Sequence, residues 1–266
     1  MRPILFCRDL AAVIFVTAIA VAALTRVRPA EAAPGGAVPA AADAAAANAA
    51  FLPPPASAAL GEPVRLTLRP YTVHAMAPDP DATVPLLGAD GRPLGPLLGP
   101  RQFCELADAG GGVIGTATFR LAGEGWTQRV SCAPWFPRLQ RRIPVSVSRL
   151  GRSVFARIDW PFGLGARDFR LVPGHTAAAT GFATGTVLYA DSLRGRILAD
   201  GTRLDGWLVV GDLRSDLAAG ELALFAGRDD QVLFTTAPGE YRVEVRPVRD
   251  AAAAAAIAAR YTLPLR

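Results

Sequence analysis

The chain has 266 residues, of which 51% are hydrophobic and 19% charged, and its formal net charge is +5. All 28 basic residues are arginine, so this uniform usage weakens any interpretation of one arginine as a ligand clamp. The positive charge favours anionic partners such as cell-wall polymers or lipid head groups, and the lack of an aromatic-plus-basic motif argues against nucleic acid.

Residues 1–32 have the pattern of a secretion signal. Arg2 and Arg8 precede an uncharged apolar stretch over 10–24, and residues 30–32 offer a small-x-small cleavage site. The apolar stretch is shorter than the ~20 residues that a membrane-spanning helix needs. An uncleaved N-terminal anchor stays open, because two further arginines precede the cleavage site. We predict export across the inner membrane, to the periplasm or the outer membrane.

Residues 33–58 consist almost wholly of alanine, proline and glycine, with Phe51 and Leu52 as the large apolar side chains. Such a stretch buries too little apolar surface to offset the entropy of ordering it, which predicts a disordered linker. The residues that follow suit one domain with a two-part core, or two small domains that share an interface.

Two cysteines follow the predicted signal, Cys104 and Cys132. In an oxidising compartment an isolated pair favours a disulfide. A metal site is the alternative, but His74 and His175 are the chain's only histidines and neither has ligand spacing to a cysteine.

From residue 63 onward, short apolar stretches are separated by glycine and proline. Residues 64–69 alternate apolar and polar side chains, the period of a half-buried strand. Many short strands at regular spacing predict a barrel or a sandwich rather than a βαβ sheet. A short helix is predicted over 251–260, with Asp250 at its N-cap and Arg260 near its negative end, although a frayed tail is the alternative.

The segment 185–227 resembles the core of a three-aspartate (3D) domain, the module that ends the A-type membrane-bound lytic transglycosylases of bacterial cell walls. Residues 182–189 fall where that family has I-P-x-G-T-x-x-Y. Residues 205–225 then follow the spacing of D-x-G-G-x-I-x-G-x-x-x-D-x-F without a gap, and Ala226-Gly227 closes the motif. The resemblance begins near Trp160 and covers about 70 residues.

This resemblance implies a double-psi β-barrel and a substrate, the glycan strands of peptidoglycan. The predicted organisation is an N-terminal β region with the disulfide over 59–150, a 3D-like barrel over 151–250, and a helix with a tail over 251–266. The fold class expected is therefore mainly β.

The three aspartates that name the family are mostly absent from this chain. The second aligns with Asp212, the first would fall among residues 177–180, and the third, the family's probable general acid, aligns with Ala223. An alanine supplies neither a proton nor a negative charge. Glu221 lies two residues before Ala223, on the same face of a strand, so its longer side chain is the candidate substitute.

These residues lead to three hypotheses about function. The protein cleaves glycosyl bonds of peptidoglycan, with Asp212 and Glu221 as catalytic residues; or it is an inactive descendant that binds cell-wall glycan or a partner protein; or it is an unrelated exported barrel. No cofactor motif, phosphate loop or serine nucleophile motif is recognised. A peripheral association with the cell envelope is left open, and the sequence does not set the oligomeric state.

Overall fold

Six strands close into a β-barrel in the computed structural model, which describes residues 51–235 and 241–262. These strands are β1 (Val64–Val73), β8 (Thr176–Ala179), β9 (Val187–Tyr189), β10 (Trp207–Val210), β11 (Glu221–Arg228) and β13 (Arg242–Pro247). Their order is β1-β13-β9-β10-β8-β11, and β11 pairs back with β1. A short strand β12 (Gln231–Val232) extends β11. The predicted mainly β fold is confirmed.

Two parallel pairs occur in an otherwise antiparallel barrel. β1 runs parallel to β11, and β8 runs parallel to β10. The remaining neighbours are antiparallel. This mixture of pairings agrees with the predicted double-psi β-barrel.

Alternate residues of the barrel strands fill its interior. Leu66 and Leu68 of β1 meet Leu222 and Leu224 of β11 in one buried apolar cluster. Successive side chains of a strand point to opposite faces, so this alternation leaves the other face of each strand for the protein's exterior contacts. On β1 those intervening residues include Arg69 and Tyr71, which take part in the site described below.

The barrel is assembled from two separate parts of the chain. Its first strand, β1, precedes residues 74–158, here called the inserted region, and the other five strands follow it. The barrel therefore includes a strand from outside the predicted range 151–250. The reason is that β11 and β13 each have an edge that β1 completes, in parallel and antiparallel register respectively.

The inserted region combines a small sheet, a hairpin and three short helices. Its elements, in chain order, are β2 (Ala75–Met76), β3 (Val84–Leu87), β4 (Pro93–Leu98), α1 (Pro100–Asp108), β5 (Gly111–Ile114), β6 (Ala117–Glu124), α2 (Pro137–Arg142), α3 (Pro144–Leu150) and β7 (Ser153–Ile158). Of these strands, β2, β5, β6 and β7 form one sheet, and β3 pairs with β4.

A disulfide lies in the core of the inserted region. It joins Cys104 on α1 to Cys132, and both cysteines are buried. Phe103 and Phe155 pack edge-to-face in the same apolar cluster, with ring centroids 5.7 Å apart. The predicted disulfide is present, and it ties the segment after β6 to the first helix.

The predicted signal at 1–32 and the predicted linker up to residue 50 lie outside the described residues. The last part of that linker, 51–58, lies against the barrel. The Phe51 ring is 4.1 Å from the guanidinium carbon of Arg194, and the indole Nε1 of Trp207 donates to the carbonyl of Pro53 at 3.2 Å. Phe51 and Leu52, the two large apolar residues of the predicted linker, therefore contact the barrel. No helix of the described residues is long and apolar enough to span a bilayer.

The last helix, α4 (Ala251–Thr262), confirms the prediction of a short C-terminal helix. Asp250 caps it by accepting hydrogen bonds from the backbone N–H groups of Ala252 and Ala253 at 2.9 and 3.1 Å. Near its other end, the Tyr261 hydroxyl donates to the carboxylate of Asp205. The helix is thus capped at its first turn and bonded to the barrel near its last turn.

A buried histidine lies beside this attachment. The ring of His175 stacks on Tyr261 with 4.0 Å between centroids, and its Nδ1 is 3.1 Å from the carbonyl oxygen of Trp207. The described residues offer its Nε2 no partner. Burial lowers the pKa of His175; the charge of Asp205 opposes this shift, and that of Arg260 adds to it.

We expect the protein to lose stability as the pH falls through about 6.5, the pKa of an unfolded histidine. Near that pH the histidine of the unfolded chain binds a proton, whereas buried His175 in the folded protein stays neutral. The contribution of neutral His175 to the free energy of unfolding is therefore present above that pH and declines below it. Urea unfolding at a series of pH values measures the decline. His175→Phe, which cannot titrate, should flatten the curve below about pH 6.5; an unchanged slope would contradict this assignment.

Candidate functional site

A cleft of about 420 Å³ lies between the barrel and the inserted region. The barrel side contributes Tyr71, Leu171, Asp212 and Arg214, among others. The inserted region contributes residues 110–112, Phe119 and Arg120, and His74 stands at the junction of the two.

The wall at residues 110–112 is bare backbone. A Cβ atom on Gly111, whose φ is +135°, would lie 2.4 Å from the carbonyl oxygen of Phe119. A side chain on Gly111 would therefore clash with β6, and a Cβ atom on Gly112 would lie 2.6 Å from the carbonyl oxygen of His74. These two glycines let β5 approach the neighbouring backbone closely, and together with Gly110 they leave this wall free of side chains. A ligand in the cleft can therefore lie directly against the main chain at residues 110–112.

Asp212 stands in the loop that follows β10. The backbone N–H groups of Gly211 and Asp212 both point to the carbonyl of Ala177, at 3.0 and 3.3 Å, and the Asp212 carboxylate accepts the Leu213 N–H at 2.8 Å. Gly165 comes so close that a Cβ there would be 2.3 Å from the Gly211 carbonyl. This crowding positions the carboxylate at the cleft.

Burial raises the pKa of Asp212 above its usual range. The Leu213 N–H, the Tyr71 hydroxyl and the Arg214 guanidinium oppose the shift, in that order, without cancelling it. A carboxyl with a raised pKa holds its proton at a higher pH than an exposed one. Asp212 therefore has the property that a proton donor requires.

Tyr71 and Arg214 flank this carboxylate. The Arg214 guanidinium carbon is 4.8 Å from the centre of the Tyr71 ring, and both nitrogens of its fork are 3.0 Å from the Asp216 carboxylate. The Tyr71 hydroxyl is buried without a well-formed hydrogen bond among the described residues. Burial, and then the charge of Asp212, raise the pKa of Tyr71, so it stays a neutral donor.

A second cavity, of about 600 Å³, opens on the other side of residues 212–214. Ala179, Thr180, Phe182 and Leu217 line it. Since Asp212, Leu213 and Arg214 line both cavities, they form a shared wall between them. A ligand longer than one cavity would have to cross the carboxylate of Asp212.

His74 and Asp229 form a pair in the cleft that the sequence did not indicate. The Nδ1 of His74 is 2.7 Å from one carboxylate oxygen of Asp229, and the other oxygen accepts the Ala75 N–H at 2.7 Å. With Nδ1 donating to Asp229, Nε2 is the ring nitrogen available to a ligand. The arrangement is that of an oriented imidazole able to accept or donate a proton.

Glu221 has a different setting from Asp212. Its carboxylate is 2.9 Å from Nη1 of Arg69 and accepts the Ala218 N–H at 3.0 Å. The Ala218 N–H first, and Arg69 second, lower the pKa of Glu221. It is not among the residues lining either cavity beside Asp212. Its contacts join β1 to β11 and the loop before it.

Ala223 lies in an apolar cluster next to the cleft. It pairs with Ala178 across β11 and β8, and both side chains are buried with Tyr71, Leu171 and Phe225. The two positions where the resemblance would have a carboxyl group, Ala223 and the segment 177–180, are thus neighbours in space. The sequence resemblance implies that methyl groups stand here where the family has two carboxylates.

The contacts that the sequence did not predict join residues far apart along the chain. His74 and Asp229 are 155 residues apart, and Arg120 of the inserted region forms an ion pair with Asp168 of the barrel side, 48 residues away. A signal for the cleft was available in the three consecutive glycines 110–112, because such a run marks a close backbone approach.

The comparisons with known proteins give structural neighbours only. No family model and no curated protein matches the chain. It is similar to E. coli MltA with bound chitohexaose, at 14% identity and a TM-score of 0.39, over 69% of this chain and 71% of that chain.

Two further solved structures are similar to the chain at comparably low sequence identity. The lytic transglycosylase LtgG of Burkholderia pseudomallei has 14% identity and a TM-score of 0.32, over 70% of this chain and 71% of that chain. MltA from Neisseria gonorrhoeae has 15% identity and a TM-score of 0.34, over 59% of this chain and 47% of that chain. At these identities and TM-scores the neighbours transfer no residue role to this chain.

Proposed function

We propose that the protein acts on the glycan strands of peptidoglycan, which it binds across the cleft and its neighbouring cavity, with Asp212 as the proton donor. The observation that carries the proposal is the position of Asp212: a carboxyl group with a raised pKa in the wall shared by two cavities. The motif over 185–227 supports the choice of glycan, since Asp212 is the one family aspartate that this chain keeps.

The chemistry expected is cleavage of a glycosidic bond without water. Asp212 gives its proton to the bridging oxygen as the bond from that oxygen to C1 breaks. The C6 hydroxyl of the same sugar then attacks C1, and its proton passes to the Asp212 carboxylate, which restores the acid. One carboxyl group serves as acid and then as base, so the absence of the family's first and third aspartates does not forbid the reaction.

Tyr71 and Arg214 would support this cycle from either side of the carboxyl group. The Tyr71 hydroxyl is a neutral donor that can stabilise the Asp212 carboxylate after it has lost its proton. Arg214 forms an ion pair with Asp216, which partly neutralises its positive charge and weakens its influence on Asp212. The raised pKa of Asp212 is consistent with this limited influence.

His74, oriented by Asp229, is the second proton-handling group of the cleft. We expect His74→Gln to reduce glycan cleavage by about 10²-fold if the imidazole helps to move the C6 hydroxyl proton. The rate of anhydromuropeptide release from purified sacculi measures this. Asp229→Asn, which leaves the ring but loosens its orientation, should give a smaller loss; full activity of both variants would exclude the role.

Binding without cleavage is the second candidate function. It is favoured by Ala178 and Ala223, because their buried cluster supplies no carboxylate beside Asp212. In this case the cleft would still take up a glycan strand, and the protein would act as a cell-wall binding module or dock a partner protein.

One experiment separates the two functions. The protein is incubated with purified sacculi; the pellet is assayed for bound protein and the supernatant for anhydromuropeptides. Binding with release of product supports the enzyme, and binding without product supports the binding module. Neither binding nor product would refute both.

We further propose that the protein works outside the inner membrane. The signal-like pattern over 1–32 and the disulfide between Cys104 and Cys132 support this location, because disulfides persist in oxidising compartments. Cell fractionation with an alkylation assay for free thiols tests it: the protein should appear in the periplasmic or outer-membrane fraction with both cysteines protected.

A further inference from the structure

The basic residues of this chain are unevenly distributed. Residues 125–158 contain seven arginines and no aspartate or glutamate. The rest of the chain has 21 basic and 23 acidic residues, so this segment alone makes the net charge positive. An acid-free stretch with that many arginines creates a local field that attracts anions.

Large apolar side chains are exposed in the same segment. The exposed fraction is 81% for Trp126, 44% for Trp135, 51% for Ile143 and 62% for Val145. Single exposed apolar residues are ordinary, but four within twenty positions, among arginines, are a pattern that marks interaction surfaces.

A groove of about 360 Å³ lies within the same segment of the inserted region. Its walls are residues 129–133 and the α3 side, which includes Pro144 and Arg152. The backbone holds the two walls together, because the Val130 N–H donates to the Gly151 carbonyl at 2.8 Å.

The exposed apolar residues adjoin this groove. The guanidinium carbon of Arg152 is 5.5 Å from the Trp126 ring centre, and Ile143 and Val145 flank Pro144. We call the surface made by Trp126, Trp135, Ile143, Val145 and the arginines around them the basic–apolar face.

The arginines of this face are only partly neutralised. Glu124, next to the segment, pairs with both Arg149 and Arg152, at 3.3 and 2.9 Å. Arg141 and Arg142, at the end of α2, are exposed, and no carboxylate partner for them is found among the described residues. Charge therefore remains available to an anionic partner.

We propose that the basic–apolar face docks on a membrane surface that carries anionic lipid head groups. Arginines next to exposed tryptophan and aliphatic side chains fit the boundary between head groups and acyl chains, where the rings and the aliphatic groups leave water and the guanidinium groups meet phosphates. The positive charge of the face complements anionic lipid head groups. A polar glycan would offer no apolar environment in which Ile143 and Val145 could be buried.

The face is separate from the cleft. The groove between residues 129–133 and α3 shares no lining residue with the cavity that holds Asp212 and His74. Docking would therefore leave the cleft open, so that a membrane-bound molecule could still take up a polymer. This inference stands whether or not the protein cleaves glycan.

Vesicle flotation tests the proposal with the full-length protein. The vesicles are phosphatidylcholine alone, and phosphatidylcholine with about a third phosphatidylglycerol. We expect the protein to float with the anionic vesicles and not with the neutral ones. Raising the salt to about 0.5 M should release most of it, because the Debye length then falls to roughly 4 Å.

Two variants separate the charge from the apolar contribution. Arg141→Ser with Arg142→Ser, and Ile143→Ser with Val145→Ser, should each weaken binding to anionic vesicles by about tenfold. The matched control is Ile197→Ser, which removes an aliphatic side chain with 71% exposure outside the face and should bind like the parent. All five substituted positions are exposed, so circular dichroism spectra and melting temperatures should be unchanged.

Equal binding to neutral and anionic vesicles would overturn the proposal, as would parental binding by both face variants. Loss of sacculus binding in the face variants, with vesicle binding retained, would assign the surface to glycan and also overturn it. The proposed function is tested by sacculus digestion with Asp212 variants, and membrane docking is tested by vesicle flotation with variants of the basic–apolar face. Failure of one proposal therefore leaves the other testable.

Discussion

Asp212→Asn should reduce the release of anhydromuropeptides by about 10²–10⁴-fold, the range for removal of a general acid. The substitution keeps the size and the acceptor oxygen that receives the Leu213 N–H, and it removes the titrating proton. Digestion of purified sacculi, with the products separated by chromatography, measures the loss.

The same variant should be at least as stable as the parent at pH 7. The folded pKa of Asp212 is raised, so the ionised side chain is disfavoured in the folded state, and its stability contribution falls as the pH rises above the unfolded value of about 3.9. An amide in the same place carries no such cost. Urea unfolding at pH 4 and pH 7 should show the parent losing more stability than the variant over this interval.

Glu221→Gln is the matched control, since it removes a carboxyl group of the same strand system outside both cavities. It should keep activity within about tenfold, and lose only the contact with Arg69. A large loss in Glu221→Gln with full activity in Asp212→Asn would reverse the assignment and make Glu221 the acid.

Replacing both cysteines by alanine should destabilise the protein by about 3–4 kcal/mol on the chain-entropy model for a loop of this size. The bridge spans a sequence separation of 28 and lies in the core of the inserted region. Urea unfolding at pH 7 compares the double variant with the parent.

The parent treated with a reductant is the control, because it breaks the same bridge without removing a side chain. It should approach the stability of the double variant. Glycan binding should weaken in both, since residues 110–112, a wall of the cleft, follow directly after the helix that carries Cys104. Equal midpoints for bridged and unbridged protein would show that the bridge is dispensable.

Local signals in the sequence predicted individual strands, whereas the double-psi barrel was implied by the resemblance, which placed β1 outside the barrel. The alternation over 64–69 gave β1, and the motif over 185–227 gave β9 to β11. The last helix was predicted from Asp250 and the alanines. The helix Pro100–Asp108 was missed, although Pro100 at its first turn and the buried Phe103, Leu106 and Ala107 follow a helical period. Glycines and prolines around it concealed the pattern.

Sequence alone could predict a residue of the candidate site only where an aspartate stood at a position of the family's motif. Asp212 was found in this way, and the structure brings it to the cleft. The setting of Glu221 depends on Arg69 of β1, a contact that spacing within one strand cannot indicate. His74 and Asp229 belong to segments whose proximity follows from the closure of the barrel. The acid-free segment 125–158 was visible in the sequence, but its meaning required the exposed side chains around it.

The two-part origin of the barrel also affects how the chain can fold. Arg69 and Glu221 are 152 residues apart, yet they lie on strands that must pair before the barrel closes. Synthesis therefore delivers an apolar strand long before its neighbours exist, and such an unsatisfied strand invites association with other chains. The inserted region has its own apolar core, so it can assemble in the interval, whereas the barrel forms late because it needs nearly the whole polypeptide.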